Sequence, residues 1–254
     1  MTDVLLIEVV DGIQIMTITR PGVKNAHNHE LALAFEAAIA ELESNKDLRV
    51  GIITGAGGNF CTGMDLKRFL AGKRPSIPGK GFCALTEYAP QKPIIAAIEG
   101  YALAGGFELA LSADLIVAAD NAKFGLPEVK RGLVAAAGGL IKLPQRIPYH
   151  IAMEYLLLGD IFSAEQASRH GLINRLTEPG QALAGAMEMA RKMAKNAPLA
   201  LAACKSIVQK TKNLEMGLAF DVQRSIVGPI LQSDDAKEGA QAFAEKREPV
   251  WRNQ

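Results

Sequence analysis

Residues Ile98–Asp114, IEGYALAGGFELALSAD, carry the pattern around which the rest of the chain can be organised. A turn of small residues, Ala104-Gly105-Gly106, opens directly into a helical run, and the first amides of a helix lack intrahelical acceptors. The helix dipole adds partial positive charge there, and two glycines leave the backbone open to an approaching ligand atom. The Gly105 N–H is therefore a candidate oxyanion donor. Glu108 follows three residues later on the same helical face, which pairs a donor with a base. A lone GG-x-E also has a purely structural explanation, in which the glycines permit close packing and the glutamate complements the dipole.

Upstream, Val4–Val10 and Ile13–Thr19 are β-prone runs joined by Asp11-Gly12, a favoured hairpin dipeptide. Leu31, Phe35, Ile39 and Leu42 then recur at helical spacing, which predicts a helix capped by Asn28 and running to about Ser44. Leu48–Thr54 and Pro93–Ile98 read as buried strands ending in glycine-containing loops. Ala71–Gly81, AGKRPSIPGKG, has no usable periodicity and is expected to be a mobile connection between two helical pieces, with a substrate-gating role. Downstream, Leu115–Ala119 reads as a strand leading to Phe124-Gly125-Leu126-Pro127-Glu128, and helical patterns dominate from about Tyr149 to the end. No domain linker and no exact repeat interrupt the chain.

The chain has 254 residues, 49% of them hydrophobic, enough to bury a sizeable core. Its 28 Lys+Arg and 27 Asp+Glu leave a net charge of +1 with no dense run of one sign, which argues against a nucleic-acid arm or a polybasic membrane anchor. Asp3 and Glu8 near the start argue against a signal peptide, and Glu108 and Asp114 interrupt the longest apolar stretch, Ala102–Ala119. Cys61, Cys83 and Cys204 lie far apart, suggesting neither a disulfide framework nor a paired-thiolate metal motif. A soluble protein of the reducing cytoplasm is expected.

Two further loop-to-helix junctions accompany the central one: Asn59–Lys67, NFCTGMDLK, with Asp65 suited to a first helical turn, and Phe124–Glu128, FGLPE. With Lys24-Asn25-Ala26, KPIIAAIEGYALAGGFELALSAD from Lys92, AAGG at Ala136–Gly139, LLLGD at Leu156–Asp160, GLINRL at Gly171–Leu176 and FAEKR at Phe243–Arg247, they extend over nearly the whole chain. Together they resemble the crotonase, or enoyl-CoA hydratase/isomerase, superfamily. The resemblance implies an α/β fold, a crotonase-like spiral of ββα units over residues 1–197, with a C-terminal helical oligomerisation region over 198–254. It also implies a homotrimer or a dimer of trimers.

Carried over position by position, the resemblance places Met64 and Gly105 as the backbone donors of an oxyanion hole and Glu108 and Glu128 as the two catalytic acids. It makes Ala26 and the backbone around Lys24 CoA contacts. It brings Lys67 and Lys246 to the CoA phosphates, Lys246 across a subunit boundary, against the plainer reading of both as solvated surface lysines. Water addition to an enoyl thioester pushes charge onto the thioester oxygen, where two preorganised amides stabilise it, while two carboxylates handle the water and the α-proton. The division of acid and base between the two glutamates stays open. The resemblance thus implies an acyl-CoA thioester as substrate and a reaction that calls for no metal or other cofactor.

Enoyl-CoA hydratase is favoured over an enoyl-CoA isomerase of the same family because both acidic positions are filled, whereas many related isomerases lack the first. Gly81–Glu87, GFCALTE, and the ending FAEKREPVW resemble a carnitinyl-CoA dehydratase branch, the competing specificity. An RNA-binding role finds no support in the charge balance, and a noncatalytic assembly role is disfavoured by the intact acidic pair. His27 is expected to be a local packing or hydrogen-bonding substitution after Asn25-Ala26, and Cys61 a small buried residue with no histidine partner placed by the sequence. Ala135–Ala137 lack the proline usual before the GG turn, so the acyl pocket is expected to differ there.

Overall fold

The computed structural model describes residues 4–67, 71 and 74–254. Asp11 and Gly12 take positive φ, 54° and 73°, and join β1 (Leu5–Val10) to β2 (Ile13–Ile18) with Val10 opposite Ile13. This two-residue turn matches the twist of the strands it connects. Asn28 caps α1 (His29–Ser44), its Oδ1 accepting from the Leu31 amide at 3.0 Å. Then come β3 (Val50–Gly55), β4 (Ser76–Ile77), β5 (Gly81–Phe82), β6 (Ile94–Ile98), β7 (Tyr101–Leu103), α2 (Gly105–Ala110), β8 (Leu115–Ala119) and β9 (Lys123–Gly125). The remainder is α3 (Gly139–Lys142), α4 (Tyr149–Leu158), β10 (Phe162–Ser163), α5 (Ala164–Arg169), β11 (Arg175–Thr177), α6 (Ala182–Ala194), α7 (Pro198–Thr211), α8 (Met216–Leu231) and α9 (Asp234–Glu245).

The chain winds as a stacked spiral. A six-stranded sheet of order β1-β2-β3-β6-β8-β11 is parallel throughout except for β1. After each inner strand the chain turns into a second layer, where it pairs again with the neighbouring turn: His27 with Met64, Cys61 with Ala102, and β7 with β9, all in parallel. Along the inner strands successive side chains point alternately into two cores. Ile13, Ile15, Val50, Ile52, Ile95, Ala97 and Val117 face Ala182, Ala186, Met187 and Ala190 of α6. Met16, Ile18, Ile53, Ile94, Ala96, Ile98, Ile116 and Ala118 face Leu31, Phe35 and Leu42 of α1 together with Phe107, Phe124 and Phe162.

Two expectations are corrected. Ala71–Gly81 does not simply connect helical pieces: β4 and β5 form an antiparallel ribbon, closed by the Lys80 amide donating to the Ile77 carbonyl at 3.0 Å, while residues 72 and 73 lie outside the described residues. Helices after Tyr149 are interrupted by β10 and β11, and β11 completes the main sheet beside β8. A neighbouring strand, unseen in local pattern, decided both cases.

Lys205 of α7 bonds the Asp114 carboxylate at 2.6 Å and the Lys92 carbonyl at 3.0 Å, which fixes the helical region beside the strand ends that lead to α2. Helix α8 buries none of its residues, and Met216, Leu218, Phe220 and Leu231 are exposed on it. Among the described residues no helix is long and apolar enough to cross a membrane.

α2 can enter the second layer only because Gly106 has no side chain: a Cβ there would fall inside the van der Waals envelope of the Cys61 carbonyl. Gly106→Ala should therefore destabilise the fold by about 1–3 kcal/mol, the usual cost of overpacking. Thermal unfolding should show a fall of roughly 2–12 °C in Tm, and an unchanged Tm would show that this contact relaxes freely.

Candidate active site

The second-layer pairings aim two amides at one place. In the His27–Met64 bridge the His27 amide donates to the Gly63 carbonyl at 2.8 Å and the Asp65 amide donates to the His27 carbonyl at 2.9 Å. Parallel pairing of this kind turns the N–H of Met64 itself to the opposite side, toward a cavity of about 790 Å³ that Met64 lines. Gly105 is the first residue of α2, so its amide has no intrahelical acceptor. Among the described residues neither amide has an acceptor. They are neighbours: Gly63 sits at φ +90°, and a Cβ there would lie 2.9 Å from the Gly105 nitrogen.

Glu108 is 2% exposed in the first turn of α2 and lines the same cavity. Its Oε1 accepts from the amides of Ala137, at 2.7 Å, and Gly139, at 2.9 Å. Burial raises its pKa, and the Gly139 and Ala137 amides and the Lys142 charge partly offset that rise. Glu128 stands in the first turn of a 3-10 helix, Pro127–Arg131, whose Pro127 sets the entry. Its Oε2 is buried without a hydrogen-bond partner. Burial lifts the Glu128 pKa to about 7, opposed by its own backbone amide and Arg131 and reinforced by the charge of Glu108. One carboxylate is cradled by two amides of another segment, and the other leaves an oxygen unpaired.

Ala26, Met64, Lys67, Gly105, Glu108 and Glu128 all line the cavity. Lys24 and Lys246 do not. The Lys24 ammonium lies 4.6 Å from the centre of the Tyr101 ring and its carbonyl accepts from Thr62, whereas Lys246 ends α9 in a left-handed conformation at φ 55°. Leu133, Val134, Ala136 and Ala137 give the cavity an apolar wall at the place where the sequence lacks the usual proline.

Sequence reasoning missed Arg20, which lines the cavity and anchors the loop through the Ala26 carbonyl and the Asp65 carboxylate, the latter at 3.1 Å. It also missed the Ala137 and Gly139 donors, whose only local signal was the glycine pair beside them. His27 is fully buried, stacked 5.0 Å from Phe82 and 5.7 Å from Phe35, with Nδ1 against the Cys83 thiol. Burial and Arg20 press its pKa down to about 3, so it packs as a neutral ring. Burial pushes the Cys61 thiol up to about 12, which removes it as a nucleophile.

The sequence profile of the enoyl-CoA hydratase/isomerase family matches residues 8–254. The chain belongs to this family. A carnitinyl-CoA dehydratase of Salmonella heidelberg is 43% identical over 246 residues, covering 93% of this chain and 94% of that protein. An enoyl-CoA hydratase of Mycobacterium marinum superposes over the full length of both chains with a TM-score of 0.97 at 52% identity. A carnitinyl-CoA hydratase of Mycobacterium avium does so with a TM-score of 0.81 at 37% identity. The fold is thus the crotonase spiral with its C-terminal helices, as the sequence resemblance implied.

The raised Glu128 pKa has a consequence for stability. The folded state holds this proton more tightly than the unfolded chain does, so the associated stabilisation is complete below the ordinary value of 4.5 and is lost as pH rises through about 7. Glu128→Gln removes that loss. Its Tm relative to the parent should climb from about pH 5 to about pH 8, and a difference independent of pH would contradict the buried-carboxylate assignment.

Proposed function

We propose that the chain is an enoyl-CoA hydratase that adds water reversibly across the 2,3 double bond of a 2-enoyl-CoA thioester. The observation that carries this reading is one cavity wall presenting two acceptor-free amides, Met64 and Gly105, beside the carboxylates of Glu108 and Glu128. The thioester oxygen accepts from both amides. Glu108 orients a water and takes its proton as the oxygen bonds to the β-carbon. The π electrons move to the thioester oxygen as an enolate, which collapses as Glu128 delivers its proton to the α-carbon. Two amide donors favour the ionised form of Glu108, and Glu128, with a pKa of about 7, holds its proton in about half of the molecules at neutral pH, which supports this division of labour.

CoA is carried by the substrate. Ala26 and the Lys24 backbone contact it, and Lys67 meets the phosphates. Lys246 lies away from the cavity in its own chain and reaches the phosphates of a neighbour's substrate in a homotrimer, single or paired. The exposed apolar residues of α8 support such an assembly. The protein acts in the cytoplasm on a small-molecule thioester, without nucleic acid or membrane partners.

A second reading is carnitinyl-CoA dehydratase-like specificity, favoured by the names of the Salmonella and M. avium relatives. Turnover of a panel of enoyl-CoA thioesters differing in chain length and head group, crotonobetainyl-CoA included, separates the two. On the accepted substrate Glu108→Gln and Glu128→Gln should each lower kcat by roughly 10²-fold or more without loss of fold. A folded Glu108→Gln variant with near-parent turnover would sink the two-carboxylate mechanism.

A further inference from the structure

Helix α3 spans Gly139–Lys142, and its two ends both serve Glu108. At the first end the Gly139 amide donates to Glu108 Oε1 at 2.9 Å. At the other, Lys142 Nζ donates to Ser112 Oγ at 2.6 Å, and the Ser112 hydroxyl donates to the Glu108 carbonyl at 2.8 Å. The same ammonium donates to the Thr86 carbonyl at 2.7 Å. Thr86 Oγ1 accepts from the Phe82 amide at 2.8 Å, and the Phe82 ring lies against Gly105. Lys142 thus joins the loop that cradles the Glu108 carboxylate, the helix that carries it and the segment packed on the second oxyanion amide. Sequence offers no signal for this, since lysine is ordinarily a solvated surface residue.

We propose that Lys142 is a positioning residue for Glu108: it ties the carboxylate's amide donors to α2 and places a positive charge that favours the carboxylate form of Glu108 beside Glu128. The role rests on the hydratase reading, in which Glu108 must act as a base. Burial of Lys142, together with the charges of Arg146 and Lys212, lowers its pKa to about 8, while Glu108 and Glu87 oppose that shift. Lys142 and Glu108 therefore bias each other's charge reciprocally. The tether and the charge are separable. Ser112→Ala cuts one leg of the tether and leaves the charge, whereas Lys142→Met removes both.

The experiment combines the pH dependence of kcat with an infrared titration of ligand-free protein, in which ¹³C-labelled glutamate reports carboxylate ionisation and Glu108→Gln identifies the band. In Lys142→Met the Glu108 band should ionise at higher pH, the acid limb should move the same way, and kcat at neutral pH should fall roughly tenfold or more with little change in KM. Lys142→Arg should restore the acid limb. Ser112→Ala should lower kcat without moving it. Parent-like Glu108 ionisation in folded Lys142→Met overturns the proposal. If that variant does not fold, Lys142→Arg decides: its permanent charge should abolish the change in the Glu108 band near pH 8 that accompanies Lys142 deprotonation, and persistence of that change overturns the proposal. A protein that turns over no enoyl thioester would refute the hydratase reading, while the infrared titration would still decide the role of Lys142.

Discussion

The site depends on keeping a carboxylate where water is nearly absent. Glu108 is 2% exposed, and an isolated charge at such a depth is costly enough that it would be neutralised. The Ala137 and Gly139 amides oppose this by donating to the same oxygen, which offsets part of the rise that burial imposes on its pKa, and they can do so only because the chain after Arg131 folds back onto α2. Glu128 has no such cradle, and burial with the repulsion of Glu108 keeps its proton on until about pH 7. Two identical side chains thereby acquire different protonation habits from their surroundings alone.

The spiral makes this arrangement affordable to the backbone. Each turn contributes one strand to the six-stranded sheet and one short pairing to the second layer, and pairing orients every peptide on it. Met64 faces the cavity because His27 occupies the other side of its strand. Gly105 faces it because β7 ends where α2 begins. Neither amide depends on a flexible side chain, so both stand oriented toward the cavity before any ligand arrives.

Local signals were legible where neighbours mattered little. Asp11-Gly12 specified its hairpin, Asn28 specified the start of α1, and the apolar run Leu115–Ala119 specified β8 at its observed bounds. Arg175–Thr177 was not legible as a strand: three half-exposed residues carry no periodicity, and only the β8 edge makes them one. The ribbon of β4 and β5 was hidden for the same reason. The glutamates and the GG turn stood out in the sequence. Arg20, Lys142 and the Ala137 amide did not, because their importance lies in what they approach across the fold.

The central claim is that the Met64 and Gly105 amides polarise a bound thioester carbonyl. Isotope-edited infrared spectroscopy of a ¹³C=O enoyl-CoA bound to the slowed Glu108→Gln variant reads this polarisation directly, on a substrate the parent turns over. The carbonyl band should lie at lower frequency than that of the same thioester in water, and Gly105→Val should reverse the shift while the ligand stays bound. A bound carbonyl at its solution frequency would contradict the account.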